Sequence, residues 1–246
     1  MLRTPALACW LAVAATVNGP VSAAYATSTA VTGPPEGTVR DWRVECGGNA
    51  AILPGLIGLD AIRRRPTMPY PQQEAGPNIY GRVTNAGRMS GYLQPEIRAA
   101  YGRLAESLIK NGILSPSLRE LVIVRVGFAS SSLYEAHHHA SFALALGLSR
   151  SHVLQMACRA PSGMSPRERA AIALADELTY RARPSDKVFN SLRKSFSNQE
   201  IMELVLVISN WMMAARKVEI TGVPVDGFAI GDDGVPITKQ RPTEQK

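Results

Sequence analysis

Between Pro95 and Gly222 apolar residues recur every three or four positions, and the polar residues that interrupt them have the character of helix caps. From Pro95 to Asn111 the apolar positions are Ile97, Tyr101, Leu104, Leu108 and Ile109, one face of a helix that Gly112 stops. Ser115 then caps a helix whose first residue, Pro116, has no N–H to leave unpaired. Leu118, Leu121, Val122, Val124 and Val126 make that helix apolar nearly all round, which predicts a central position. A further helix is predicted from about Ser132 to Leu146 with Gly147 as its left-handed stop, and another from Ser149 to about Arg159. Ser165 with Glu168 and Ser197 with Glu200 form capping boxes that open helices to about Arg181 and Thr221, and a shorter helix from Ser185 to about Phe196 lies between them. On the last helix Ile201, Leu204, Val205, Ile208, Trp211, Met212 and Ala215 form one stripe, read as core. No strand pattern competes, so the expected fold class is all-α, a bundle of about six or seven helices.

The flanks have a different texture. Residues 1–26 carry Arg3, an apolar run from Ala6 to Val17 and small residues before a cleavage point, the pattern of a signal peptide. The run is too short to span a bilayer comfortably, so export to a periplasm or the extracellular medium is expected, without stable membrane insertion. Residues 27–93, rich in Pro, Gly and Thr, read as an extended N-terminal arm with a short helix near Gly58 to Arg64. The helical domain then occupies 94–228, and 229–246 form a flexible tail.

Composition narrows the function only a little. In 246 residues the formal charge is +7, with Lys and Arg dispersed and no basic run interleaved with aromatics, so nucleic acid is not an expected partner. Outside the signal the cysteines are Cys46 and Cys158; in an oxidising compartment they could pair, and they could equally be unrelated thiols. No CxxC occurs.

The candidate chemistry lies in Arg119 to Gly147, which holds three of the four histidines. Ser132, Glu135 and His139 stand at i, i+3 and i+7 and share a helix face, with His138 on its flank and His137 turned away. A carboxylate one turn from an imidazole can orient it for proton transfer. Glu120, a carboxylate in a helix that favours burial, requires a partner, and the His139 face is the natural one. Glu135 and His138 have the ExxH spacing of carboxylate-bridged metal sites, but no second ExxH accompanies them and no metal is expected. His152 reads as a surface residue, and Trp211 with Met212 and Met213 as core.

The run LRELVIVRVGFASSSLYEAHHHASFALALGLS resembles the carboxymuconolactone decarboxylase family, whose superfamily also holds the alkylhydroperoxidase D-like proteins. The family pattern is an RELxIL helix, a turn, then YEWxHH or CxxCxxxH. LADELTY at 174–180 and LVLVISNWMMAARKVEITGVPVD at 204–226 extend the resemblance over roughly Gln94 to Asp226. It implies an all-α fold that assembles into trimers or hexamers. In the peroxidatic branch a glutamate, two cysteines and a histidine form a proton relay, and those positions match Glu120, Ser132, Glu135 and His139. With both cysteines absent, a peroxidase-like antioxidant role is the least supported, since serine and carboxylate cannot cycle through a disulfide. Ala136 replaces the common tryptophan, which would alter the pocket wall.

The resemblance therefore implies a cofactor-independent lyase or isomerase transferring protons on a small carboxylated or lactone substrate. His139 would shuttle the proton, Glu120 and Glu135 would orient it, and Ser132 or Tyr134 would hydrogen-bond the substrate beside His138. Arg125 and Arg216 are candidate carboxylate clamps, with a structural ion pair or a subunit contact as the alternative for each. The competing expectation is a non-enzymatic secreted oligomer that binds a ligand or serves structurally.

Overall fold

Seven serines and threonines set the frame, each accepting a backbone N–H at the start of a helix. In a computed structural model that describes Cys46 and residues 68–72, 76 and 82–226, Thr84 caps α1 (Asn85–Met89) and Ser115 caps α3 (Pro116–Ala129). Ser132 caps α4 (Leu133–Ala145) and Ser149 caps α5 (Arg150–Leu154). Ser165, Ser185 and Ser197 cap α6 (Pro166–Tyr180), α7 (Asp186–Ser195) and α8 (Asn198–Thr221). Only α2 (Pro95–Lys110) begins without a side-chain cap, and it starts on a proline. Each such cap is worth about 1 kcal/mol relative to alanine, so the helix starts are locally specified. Both predicted capping boxes close, with Glu168 and Glu200 reaching back to the cap N–H. No strand occurs among the described residues, and the fold class is all-α.

The centre is α3, buried at every position from Leu118 to Ala129 and packed against α4, α6 and α8. One apolar cluster joins α3 to α6, α7 and α8 through Val122, Ile123, Leu174, Leu192, Leu204 and Ile208. A second joins α3 to α4 and the α5 region through Leu121, Val124, Ala136, Ala140 and Met156. Between α3 and α4 the backbones touch at Gly127, where any side chain would sit within 2.5 Å of the Ala136 nitrogen. Ala136 thus lies at a helix crossing, its backbone and Cβ against Gly127. The chain turns between them through Ser131, in the left-handed region at φ 59°.

Two elements depart from the sequence reading. The Thr84-capped α1 lies in the stretch expected to be an extended arm; five residues are too few to display a helical period. The helix expected to run from Ser149 to about Arg159 ends at Leu154 and continues as a 3₁₀ turn, Gln155–Ala157. In and beyond that turn Arg125 takes the carbonyls of Met156, Cys158 and Arg159, which are then not free for a regular helical ladder. Cys46 and Cys158 form a disulfide that joins the arm to this bend, so they are not unrelated thiols. The signal at 1–26, the helix near 58–64 and the tail at 229–246 lie outside the described residues. No helix among the described residues is long and apolar enough to cross a membrane.

Candidate functional site

Three helices converge on one imidazole. Glu120 from α3 and His139 from α4 meet with His139 Nδ1 2.7 Å from Glu120 Oε2, and from α8 the indole N–H of Trp211 donates to His139 Nε2 at 2.6 Å. Tryptophan can only donate, so Nε2 is the acceptor, Nδ1 carries the proton, and Nδ1–H donates to Glu120. The other carboxylate oxygen of Glu120 accepts from Nε and Nη2 of Arg119, both at 3.3 Å, which sets a buried cation beside a buried anion. The ring of His139 is further framed by Trp211 and Phe142, edge to face at 5.3 and 5.5 Å. The result is an imidazole fixed in one tautomer and one orientation, the arrangement by which enzymes prepare a histidine for proton transfer.

Glu135, one turn before His139, brings its Oε2 to 3.6 Å from Nε2, a close approach too long for a hydrogen bond. Ser132 and Glu135 have the same Ser-x-x-Glu spacing that forms the capping boxes of α6 and α8. Here the box is half made: Ser132 Oγ accepts from the backbone N–H of Glu135 at 3.5 Å, while the Glu135 side chain turns into the site. Burial pushes the Glu135 carboxyl above its ordinary value of 4.5, Glu219 adds to the shift, and His139, His138 and Lys217 oppose it. A carboxyl raised in this way can both take and give a proton closer to neutral pH.

The remaining expected site residues are placed elsewhere. Ser132 is a buried N-cap and does not join the His139 chain of hydrogen bonds, contrary to its expected relay role. Tyr134 and His138 stack at 4.3 Å and are both held by Asp226, Tyr134 through a 2.5 Å bond and His138 at 3.1 Å. Asp226 also accepts from the N–H of Asn85 at the start of α1, and Tyr134 Oη accepts from the N–H of Ala86. This pair therefore forms part of a tie between α4, α1 and the segment after α8, and the two side chains are not presented to a substrate as expected. Among the described residues no three His, Cys, Asp or Glu side chains converge as metal ligands.

Neither expected clamp is available. Arg125 is fully buried and forked onto Asp176 by bonds of 2.6 and 2.7 Å, its remaining donors spent on carbonyls. This is the structural alternative, and the charge sits within an apolar helix because five acceptors surround it. Arg216 is exposed and bonded to the Met212 carbonyl of its own helix. The inward cation is its neighbour Lys217, which the sequence reading passed over; a step of 100° separates the two side chains. Trp211 was likewise read as core, and its indole N–H is a member of the site. His152 pairs with Glu168 in a half-buried position near the α5 start.

The buried His137 is outside this network. It is 1% exposed, neither ring nitrogen has a hydrogen-bond partner, and burial holds its pKa down at about 3.

Residues 95–177 match the model of the carboxymuconolactone decarboxylase family. The matched span contains Glu120, Ser132, Glu135 and His139 but ends before α8. Among solved structures the chain is similar to the debrominase Bmp8, seen in complex with 2,3,4-tribromopyrrole, at 18% identity over 60% of this chain and 80% of that one, TM-score 0.54. It is also similar to a peroxidase-related protein from Ralstonia eutropha JMP134 described as an alkylhydroperoxidase AhpD core, at 20% identity over 64% and 84%, TM-score 0.54. A peroxidase-related protein from Silicibacter sp. TM1040 follows at 19% identity over 57% and 76%, TM-score 0.51. At such identities the likeness establishes the alkylhydroperoxidase D-like fold. No curated protein matches the sequence.

Proposed function

We propose that this chain is a cofactor-independent acid–base enzyme that decarboxylates or isomerises a small carboxylated or lactone substrate. The observation that carries the reading is Glu135: a buried carboxyl, raised by that burial, 3.6 Å from the Nε2 of a histidine held in one tautomer. In an isomerisation the Glu135 carboxylate takes a proton next to the substrate carbonyl and returns it one conjugated position further on. In a decarboxylation CO₂ leaves, its bonding pair enters the conjugated carbonyl, and the Glu135 carboxyl protonates the resulting carbanionic carbon. His139 accepts or returns the proton through Nε2 when the Trp211 N–H gives way, and Glu120 holds the imidazole throughout. This revises the expectation that His139 alone is the shuttle, because both of its nitrogens are already engaged.

The test is deuterium uptake from D₂O into a panel of unsaturated lactones and β-keto acids, followed by NMR with product analysis. Glu135→Gln and His139→Ala are each expected to lower the rate by about 10²- to 10⁴-fold, the usual reach of a positioned acid or base. Undiminished exchange in Glu135→Gln would sink the mechanism. A second reading, a non-enzymatic ligand-binding or structural protein, is favoured by the way Arg119, Glu120, His139 and Trp211 satisfy one another; it predicts altered melting in those variants and no reaction in the wild type. A thiol-dependent peroxidase is not favoured, because Cys46 and Cys158 are bonded to each other and neither occupies the Ser132 or Glu135 position.

Export and self-association belong to the same proposal. The disulfide supports an oxidising destination. The exposed apolar side chains Phe189 of α7 and Met202 and Leu206 of α8 support a homo-oligomer, a trimer or hexamer. Native mass measurement decides both: loss of about 26 residues from the N-terminus and a multimeric mass are expected, and an intact monomer would refute them.

A further inference from the structure

Lys217 is a charge that the reaction above does not use. Its Nζ donates to Ser90 Oγ at 2.9 Å, and because that hydroxyl gives its own proton to the Ala86 carbonyl, it serves the ammonium purely as an acceptor. The ammonium also lies 4.9 Å from the centre of the Tyr101 ring. It makes no ion pair among the described residues, although it and Glu135 are near enough for each charge to affect the other's titration. A partly buried ammonium held by one hydroxyl and one ring face keeps a donor and a full charge for a further acceptor.

We infer that Lys217, with Ser90 and Tyr101, is a subsite for the carboxylate of a small acid with an apolar body, and that it holds this anion beside Glu135. What Glu135 then does rests on the proton-transfer reading; the binding does not. The charged and titratable groups around Lys217 permit an incoming anion. Glu135 is raised by burial and so is more readily neutral than an ordinary carboxylate, and His138 and His139 act on it as positive groups. Glu219 is the remaining carboxylate in that field. Burial disfavours the Lys217 charge, and pairing with a substrate carboxylate would restore it.

The apolar body follows from what flanks the ammonium. On α2, Ile97 and Leu104 stand four residues before and three after Tyr101; on α8, Met213 and Ile220 stand four before and three after Lys217. All four are exposed, so Tyr101 and Lys217 are each flanked along their own helix by apolar side chains open to a ligand. A ligand with one carboxylate and an apolar remainder fits these surroundings, whereas a compact polyanion does not.

Isothermal titration of the full chain tests this with benzoate, its neutral isostere benzamide, and acetate, which lacks the apolar body. Benzoate is expected to bind at least about tenfold more tightly than either. Lys217→Met should lower benzoate affinity by about tenfold or more, Lys217→Arg should keep most of it, and Ser90→Ala should weaken it by roughly threefold. Benzamide binding as well as benzoate, or wild-type affinity in Lys217→Met, would overturn the subsite and leave Lys217 as a staple between α8 and the turn at Ser90. Should Lys217→Met fail to fold, the benzoate–benzamide contrast in the wild type and the Ser90→Ala loss still decide. Lys217-dependent benzoate binding without any deuterium exchange would support the subsite and remove only the enzymatic reading. Exchange and benzoate affinity that are both unchanged in Lys217→Met would remove the subsite and leave the enzymatic reading standing.

Discussion

Trp211 donates its indole N–H to Nε2 of His139 at 2.6 Å, across 72 positions of sequence, and this one bond determines which nitrogen of the histidine carries the proton. Because the indole cannot accept, a protonated Nε2 would face another donor. Among the described residues Glu135, at 3.6 Å, is placed to receive a proton from that nitrogen, so Glu135 and the indole compete for a single site on the ring while Glu120 holds the other nitrogen.

Trp211→Phe keeps the aromatic packing and removes the donor. It leaves a buried acceptor unpaired and is expected to destabilise the fold by about 1–3 kcal/mol. Nitrogen-15 NMR of the wild type should show Nδ1 protonated and Nε2 hydrogen-bonded, and the Nε2 resonance should move toward an unbonded value in the variant. An unmoved resonance would show that the indole bond is absent in solution.

Glu135 has a folded pKa raised above 4.5 by burial, so the folded state binds its proton more tightly than the unfolded chain. Its contribution to stability is complete below pH 4.5 and is lost as pH rises through the folded value. Glu135→Gln removes that loss. Urea titrations should find the variant more stable than the wild type at pH 8 and level with it at pH 4, while its catalytic rate falls; equal pH dependence in the two proteins would contradict the raised pKa.

His137 has the opposite sign. Its pKa falls from 6.5 to about 3 on folding, so stability is complete above 6.5 and is lost as pH falls toward 3. The slope from this one group approaches about 1.4 kcal/mol per pH unit within that window. His137→Leu should resist acid better than the wild type and, by removing a buried imidazole with no hydrogen-bond partner, should be no less stable at pH 7. Parallel acid-denaturation curves would argue that His137 gains a partner in solution.

The disulfide closes a loop between positions 112 apart. Reduction, or Cys46→Ser, is expected to cost about 4–5 kcal/mol through the entropy regained by the unfolded chain. A reductant should therefore lower the denaturation midpoint of the wild type and leave that of Cys46→Ser unchanged.

How much of this could be read from the sequence depends on distance along the chain. The caps at Ser115, Ser165, Ser185 and Ser197 are local, and each helix begins where its cap predicts. The pairing of Glu120 with His139 was legible because a carboxylate inside an apolar helix requires a partner and the hairpin offers one 19 positions away. Ser132 shows a local signal outweighed by a resemblance: its Ser-x-x-Glu spacing marks an N-cap, while the family pattern suggested a relay member. Trp211 and Asp226 act on α4 from 72 and 92 positions away, and a core stripe does not reveal which of its members carries a hydrogen bond inward. Arg216 and Lys217 differ by one residue, below the precision with which a helical period assigns faces.

Asp226 gives the domain a sharper boundary than the family pattern does. A fragment cut to residues 95–177 would keep Glu120, Glu135 and His139 and lose the indole that fixes the histidine, the lysine beside Glu135, and the carboxylate that joins Asn85, Tyr134 and His138. The side chains that hold this chemistry in place therefore reach from Thr84 to Asp226, a longer stretch of chain than the one the family model matches.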